Sequence, residues 1–466
     1  MKLSAARLWA LRLAFLTATS CAVPLLANAQ APDVEKTENS AMSGELLYEI
    51  LLGELNLRQG EPAAGFSLLL DAARKSNDVQ LYDRAVEVAL QARSGDGALI
   101  AARAWAHAWP QDRKANNQVL QILLALNHVN ESLDPLKKEI AFASETERDA
   151  IINVLPRLYA RITDKKRAAA IVQQALEPYL SKNNTTAAVA WTSLGRIRLT
   201  GDDINGALEA VKKGQAADIK AHGPTLLAME LMGKKVVEAE PLVQQGLRKQ
   251  DGTEMAMSYV RVLIELERYK EATEQLQAIT RKDPKLADAW LVLGSLQFEQ
   301  GQDKEAEASL ARYVNLATKT PTDTSTRGLN QAQTRRAALL ARQGKMREAR
   351  DLIHQIPANN ADEQRSRTLA EVQLLREHRQ WQAAFDLLAA NSGDNIDLIY
   401  EQAMLAEKLN QLDEMEKLLR QVIAQNPSYY NAYNALGFSL ADRNIRLPEA
   451  KQLIIKALTF APADPF

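Results

Sequence analysis

Residues 287–313 read ADAWLVLGSLQFEQGQDKEAEASLARY, and this stretch decides the fold. Trp290 begins an apolar segment that contains Gly294, and Gly301 separates this segment from a second one that carries Ala306. Both segments consist mainly of residues that favour helices. The small residues at 294 and 306 allow two antiparallel helices to approach closely, and glycine at 301 adopts a tight turn at little steric cost. The stretch therefore predicts a helix–turn–helix unit.

The same spacing recurs along the chain. Ala272 precedes Ala306 by 34 residues, and its unit ends at Pro284, which cannot continue a helix. A repeat of this length indicates stacked helix pairs, because each pair exposes an apolar face that only its neighbour covers. We predict an all-α superhelical solenoid of about 11–12 helix pairs. Two other neighbouring units share small residues at a period of 32: Gly201, Ala207 and Gly214 recur as Gly233, Ala239 and Gly246.

The pattern resembles the tetratricopeptide consensus: a large residue, Leu-Gly, a turn glycine, a small alanine and a terminal proline. In such a solenoid the first helix of each pair lines the concave side, and positions that do not point into the core face the groove. We expect this face to bind protein or peptide partners. The candidate protein-binding residues come from three units and are Glu254, Met257, Arg261, Ile264, Glu265, Asp288, Leu291, Ser295, Phe298, Glu299, Asn431, Asn434, Phe438 and Arg443.

The repeat pattern is regular in some segments of the chain and degenerate in others. Residues 44–186 are N-terminal helical repeats that are partly degenerate, because Leu-Gly is missing from about 111 to 186. There we expect helix pairs with distorted packing. Residues 187–320 are regular tetratricopeptide repeats, and residues 330–466 are C-terminal repeats.

Two features interrupt this order. Proline, glycine and a threonine cluster predict a loop at 321–329, which either contacts a partner or is a tolerated insertion. The sequence also stops at Phe466, where another repeat should begin, so we expect the natural chain to continue.

The first residues are typical of an export signal. Three basic residues precede an apolar run at 13–26, and Ala-Asn-Ala at 27–29 fits the site of a signal peptidase. We therefore predict a signal peptide at 1–29, a flexible lead at 30–43 and a periplasmic mature protein.

Cys21 is the only cysteine of the chain and lies inside this signal. After cleavage the mature chain has no disulfide, no thiol nucleophile and no thiolate metal site. The alternative is that Ala18-Thr19-Ser20-Cys21 is a lipobox, which would give an outer-membrane lipoprotein that faces the periplasm. The small-x-small site downstream favours soluble export.

Composition and motifs favour a non-enzymatic protein without cofactor or metal. The formal net charge is −1, and no basic stretch alternates with aromatic residues, which disfavours nucleic-acid binding. The five histidines lack metal-ligand spacing, and no phosphate loop, dinucleotide fingerprint or nucleophile elbow occurs. Carboxylates are plentiful, so an enzyme with paired carboxylates remains a third hypothesis. Most of them lie beside Lys or Arg at helical spacing, which is typical of a solvated face.

The last repeat points to a more specific role. Residues 434–443 read NALGFSLADR, and Ala450, Ala457 and Pro462 follow. This segment resembles the C-terminal half of long exported tetratricopeptide proteins of proteobacteria. That family includes the lipoprotein adaptor of a carboxyl-terminal processing protease. The resemblance implies a scaffold that binds this serine protease, promotes its assembly and delivers cell-wall hydrolases to it. The alternative is an assembly scaffold for an envelope machine, such as polysaccharide export or pilus secretion.

Overall fold

The computed structural model describes residues 42–250, 252–319 and 323–461. Within these ranges the chain forms 24 α-helices and one short 3₁₀-helix, and no strand occurs. The predicted signal peptide with Cys21 lies outside the described residues, as do nearly all of the predicted lead and residues 462–466.

The 24 helices of the described ranges follow one another as 12 pairs, which confirms the predicted all-α repeat fold. The first helices are α1 (Gly44–Arg58), α3 (Val79–Gln91), α5 (Arg113–Ala125), α7 (Glu145–Leu158), α9 (Thr185–Thr200), α11 (His222–Gly233), α13 (Thr253–Glu265), α15 (Ala287–Glu299), α17 (Asp323–Arg342), α19 (Ala361–Glu377), α21 (Ile396–Lys408) and α23 (Tyr430–Asp442). The second helices are α2 (Pro62–Ser76), α4 (Gly95–Ala108), α6 (Leu133–Phe142), α8 (Lys165–Leu180), α10 (Ile204–Ala217), α12 (Ala239–Lys249), α14 (Tyr269–Lys282), α16 (Asp303–Lys319), α18 (Met346–His354), α20 (Trp381–Asn391), α22 (Leu412–Gln425) and α24 (Leu447–Phe460).

The chain divides into two compact units, Met1–Ala108 and Trp109–Phe466. The first unit contains α1–α4, in which α1 packs against α2, α2 against α3 and α3 against α4. The second unit contains α5–α24. In it the first helices from α7 to α13 and from α15 to α19 contact the first helix of the following pair, as α9 does with α11 and α15 with α17. In these two stretches the first helices therefore lie side by side.

Glycines at the predicted small positions allow this packing. A Cβ on Gly195 would lie 2.3 Å from Leu227 Cδ2 and 2.8 Å from Ala210 Cβ, so α9 approaches both α10 and α11 more closely than any other residue permits. A Cβ on Gly294 would lie 2.7 Å from Leu310 Cγ on α16. Tight packing of this kind explains why small residues recur at the period of the helix pairs.

The predicted loop at 321–329 is wrong over most of its length. Helix α17 begins at Asp323, so residues 323–329 form its first two turns. The physical reason is a contact between distant parts of the sequence. Gly328 is buried, and a Cβ there would lie 1.9 Å from the hydroxyl oxygen of Tyr313. The glycine that signals a break in the sequence instead allows α17 to pack against α16.

The degenerate region forms helices with unusual polar contacts between them. A 3₁₀-helix, Val129–Ser132, precedes α6. The buried hydroxyls of Ser132 and Tyr159 lie 2.9 Å apart, and Asn116 Nδ2 donates to the carbonyl of Pro135 at 2.9 Å. In this region specific hydrogen bonds join the helices where the Leu-Gly pattern is missing.

Candidate protein-binding surface

The first helices of four consecutive pairs, α7, α9, α11 and α13, line one groove of about 760 Å³, which we call the α7–α13 groove. Its apolar wall is formed by Pro156, Leu199, Leu226, Met229 and Val262. The charged side chains of the groove are Arg196, Glu230, Lys234, Arg261 and Glu265. An apolar surface with charged and hydrogen-bonding groups around it is suited to hold a polypeptide segment.

The charged groups also connect the helices. Arg196 Nη2 on α9 lies 2.7 Å from Glu230 Oε1 on α11. Both side chains remain partly exposed, so this ion pair contributes little to stability. Its main effect is to hold two charged groups in fixed positions at the groove.

Pro156 gives the groove a special local structure. Because proline has no N–H, the carbonyl of Ile152 lacks its usual helical donor. Ser193 Oγ on α9 donates to this carbonyl at 2.7 Å, and the side chains of both residues are buried. A hydrogen bond between neighbouring first helices thus replaces the one that proline removes.

Gly233 ends α11 at the wall of the same groove. Apart from its chain neighbours and the backbone of its own helix, no heavy atom lies within 4 Å of the place where a Cβ would stand. A Cβ at this position therefore meets no neighbouring helix.

A second recess, the α15–α19 pocket, has a volume of about 360 Å³ and is lined by α15, α17 and α19. A third, the α19–α21 groove, has a volume of about 780 Å³ and includes Trp381 and Met404. Gln373 and Glu377 line both recesses, so the surface is continuous from α15 to α21. All but one of the residues that line these two recesses belong to first helices.

The candidate residues on α13 divide between this surface and the core. Arg261 and Glu265 line the α7–α13 groove. Met257 and Ile264 are half-buried and pack against the hydrophobic core of the unit, and Glu254 is exposed. The structure therefore brings two of the five residues together in a groove.

The candidates on α15 divide in the same way. Phe298 and Glu299 line the α15–α19 pocket. Leu291 is half-buried against the core, Ser295 Oγ donates to the carbonyl of Leu291 at 2.7 Å, and Asp288 is exposed. Contact of any of these residues with a partner stays a prediction.

The candidates on α23 do not line any of these three recesses. Asn431 is exposed, Asn434 is half-buried, and Phe438 is 62% exposed. Arg443 Nη2 lies 3.6 Å from Asp413 Oδ1, beside the turn between α21 and α22. Together with Asp413 and Phe385, Arg443 lines a separate recess of about 750 Å³.

Sequence reasoning missed the contribution of α17 to this surface. Gly294 lies 12 residues before Ala306 (306 − 294), and Ala337 lies 12 residues before Ala349 (349 − 337). Thr334 precedes Ala337 by three residues, as the candidate Leu291 precedes Gly294. Thr334 does line the α15–α19 pocket. The signal was therefore present, but the candidates were taken from three other units.

The described ranges contain no group of three or more His, Cys, Asp or Glu residues that is placed to hold a metal ion. In the same ranges no helix combines the length and the hydropathy that a bilayer crossing requires.

Comparison with known families identifies the repeats. A family model described as tetratricopeptide repeat matches residues 263–322, which extend from the end of α13 past the end of α16. Residues 263–322 therefore match the tetratricopeptide repeat. A TPR repeat-containing protein of Pseudomonas aeruginosa is 38% identical over 138 residues. This match covers 29% of the chain and 23% of that relative, so the chain matches less than a quarter of the relative's length.

Solved structures also match the chain, at low TM-scores and low sequence identity. Yeast Tom70 gives a TM-score of 0.32 at 11% identity and covers 88% of this chain and 99% of its own. The APC/C hetero-tetramer Cut9-Hcn1 gives a TM-score of 0.29 at 11% identity. The match covers 91% of this chain and 95% of the matched chain. YrrB, described as a TPR protein with an unusual peptide-binding site, gives a TM-score of 0.26 at 16% identity. The match covers 41% of this chain and 94% of the YrrB chain.

Tetratricopeptide repeats indicate a protein-binding scaffold, and tetratricopeptide solenoids are in general non-catalytic. The site geometry fits this class, because the surface formed by the first helices presents grooves rather than an enclosed cavity.

Proposed function

We propose that this chain is a periplasmic scaffold that binds a carboxyl-terminal processing protease and delivers protein substrates, such as cell-wall hydrolases, to it. The observation that carries the binding role is the α7–α13 groove, in which four first helices present one apolar wall with charged groups around it. The protease partner is proposed from the resemblance of residues 434–443 to exported adaptor proteins. Periplasmic location is proposed from residues 1–29.

The size of the α7–α13 groove suits a polypeptide segment. Packed helices lie about 8–10 Å apart, so three steps from α7 to α13 span roughly 24–30 Å. An extended chain advances about 3.3 Å per residue, so this length accommodates about eight residues. Several side chains of a bound segment can therefore contact the wall at once.

The chemistry of the groove also suits a polypeptide. Leu226 and Val262 are half-buried and offer apolar contact area, whereas Arg261 and Glu265 are exposed beside them. Apolar contacts supply affinity, and the charged groups favour partners with complementary charge. Such a surface accepts unfolded or flexible segments, which is what delivery of substrates to a protease requires.

Gly233→Trp tests this role. A Cβ at position 233 meets no neighbouring helix, and the residue lines the groove. We therefore expect the indole to obstruct the groove, so that partner binding is lost while the protein stays folded. Gly44→Trp is the matched control, because Gly44 is equally open and lines none of the three recesses.

The assay is affinity capture from a periplasmic extract, followed by mass spectrometry and by a binding titration with the purified protease. Wild type and Gly44→Trp should recover a serine protease of the tail-processing class, and Gly233→Trp should not. Recovery of channel or pilus components in its place would instead favour an envelope-assembly scaffold. Equal capture by all three proteins would refute binding in this groove.

Export has its own test. We expect the mature protein to begin at Gln30, which mass spectrometry of the N-terminal peptide from the cell envelope measures directly. A lipid-modified N-terminus at Cys21 would show outer-membrane anchoring instead. An uncleaved chain would contradict the proposed export.

A further inference from the structure

Helix α1 presents large apolar side chains to solvent along one face. Leu47, Tyr48, Leu51 and Leu55 are 47%, 64%, 60% and 50% exposed, and we call this set the α1 stripe. The three leucines follow one another at intervals of four residues, which places them on the same side of the helix. A contiguous exposed apolar surface of this kind marks a site of association.

The corresponding face of a later first helix is buried. Gly53 on α1 packs against Leu69 on α2, and Gly294 on α15 packs against Leu310 on α16, in both cases 16 residues later (69 − 53 and 310 − 294). Three positions around Gly294 lie in a hydrophobic cluster that also contains residues of α13 and α14. They are Ala289, Val292 and Leu296. At the same distances from Gly53 lie Tyr48, Leu51 and Leu55, so the stripe exposes the face that α15 buries against the preceding pair.

The sequence before α1 lacks the apolar residues that would cover this face. Residues 30–41 read QAPDVEKTENSA, in which Val34 is the one large apolar residue. Residues 1–29 are removed in the proposed export, and this step of the argument rests on that proposal. A second polypeptide is therefore the source of a fitting apolar surface.

The α1 stripe is complementary to itself about a two-fold axis at Leu51. When two copies of α1 pack antiparallel about this axis, Leu51 of one copy meets Leu51 of the second copy. Leu47 and Leu55 lie four residues on either side, so Leu47 of each copy meets Leu55 of the second copy. A surface that matches itself in this way is what a two-fold symmetric dimer requires.

The charges at the two ends of α1 favour the antiparallel orientation. The Glu45 side chain is 78% exposed, although Lys75 Nζ lies 3.6 Å from its Oε1, and Arg58 is exposed in the last turn. An antiparallel pair brings Glu45 of each copy close to Arg58 of the second copy. A parallel pair would bring like charges together, which opposes association.

We propose that two copies of this chain associate through the α1 stripe as an antiparallel, two-fold symmetric dimer. Four side chains of this size, each about half exposed, present roughly 400 Å² per copy. With the residues around them, the pair buries about 1,000 Å², which is the lower limit of a specific interface. The dimer is therefore weak, with a dissociation constant on the order of 10 μM. Affinity capture uses far lower protein concentrations, so the dimer does not affect the comparison with Gly44→Trp.

The first experiment is sedimentation velocity of the protein purified from the cell envelope, between about 1 and 100 μM. Leu51→Arg places two like charges at the two-fold axis. Ile100→Arg is the matched control, because Ile100 on α4 is 51% exposed in the same compact unit. We expect wild type and Ile100→Arg to change from monomer to dimer over this range and Leu51→Arg to stay monomeric, while thermal melts show that all three are folded.

Charge reversal tests the orientation. Glu45→Arg or Arg58→Glu alone should weaken the dimer about tenfold, because each replaces an attraction at both ends by a repulsion. The double variant should restore wild-type association, because it reverses the sign of both partners in each pair.

Introduced cysteines test the register. Cys21 is the only cysteine of the chain and lies within residues 1–29, so one added thiol reports on one position. Leu51→Cys should form a disulfide-linked dimer by itself under oxidising conditions. Leu47→Cys and Leu55→Cys should form one only when the two variants are mixed.

A cleaved chain that stays monomeric at every concentration would overturn the dimer and leave the proposed export intact. Dimerisation of Leu51→Arg equal to that of wild type would also overturn it, as would a disulfide between two copies of Leu47→Cys, which indicates a parallel pair. An uncleaved N-terminus contradicts the export proposal, and if such a chain is monomeric the dimer proposal falls as well.

Discussion

The hydrogen bond from Ser193 to α7 supports one wall of the α7–α13 groove, and its removal gives a quantitative prediction. Pro156 leaves the carbonyl of Ile152 without a helical donor, and Ser193 Oγ supplies one at 2.7 Å. Ser193 is 1% exposed and Ile152 is fully buried. Ser193→Ala therefore leaves a buried acceptor unsatisfied, which should lower the local free energy of unfolding by about 1–3 kcal/mol.

A double-mutant cycle separates this cause from a general loss of packing. Pro156→Ala restores an N–H at position 156, which can donate to the carbonyl of Ile152. In that background we expect Ser193→Ala to cost about 1 kcal/mol less than in wild type. Ser295→Ala is the matched control, because the Ser295 hydroxyl donates to Leu291 within its own helix and is only half-buried.

Hydrogen exchange of the α7 and α9 amides is the suitable assay, because long repeat arrays do not unfold in a single step. The reasoning would be refuted if Ser193→Ala cost the same in both backgrounds. It would also be refuted if its cost did not exceed that of Ser295→Ala.

Three further predictions concern packing and charge. Gly195→Ala should lower the stability of α9–α11 by about 1–3 kcal/mol, because its Cβ would lie 2.3 Å from a buried leucine methyl. Gly233→Ala meets no such contact and favours the helix, so it should raise the stability of α11 by up to about 1 kcal/mol in the same exchange experiment. Leu310→Ala opens a cavity against α15 and should cost about 2–5 kcal/mol, measured by hydrogen exchange of the α15 and α16 amides. A hydrogen bond from Arg268 lowers the pKa of Glu240, so this pair stabilises the fold above about pH 4.3 and loses its effect as the pH falls through the depressed pKa. Glu240→Gln should therefore reduce the loss of Tm on acidification below pH 4.3, and an unchanged pH profile would contradict this.

The fold was predictable where short-range sequence spacing encodes packing. Gly294 and Ala306 are small because two helices cross there, and the chain shows this directly as a repeated interval. Gly328 was misread because its role depends on Tyr313, a residue of the preceding helix. A local rule treats such a glycine as a helix breaker, whereas the tertiary contact favours the helix.

The candidate surface was predictable in part for a related reason. The helical period locates the inner side of a first helix, and Arg261 and Phe298 do line recesses there. The period does not show how neighbouring helices cover part of that side, and Met257 consequently packs against the core. The role of Ser193 was also hidden, because it depends on a proline 37 residues earlier in sequence (193 − 156) and adjacent in space.

The central claim is that the first helices form the surface that binds a polypeptide. A photo-crosslinking amino acid, benzoylphenylalanine, introduced in the full chain in place of Lys234, an exposed residue that lines the α7–α13 groove, tests it in the cell envelope. The same residue in place of Gln245, which is exposed on α12, is the control. We expect a covalent product with the protease or its substrate from position 234 and none from position 245. A product from position 245 alone, or from neither position, would contradict the account.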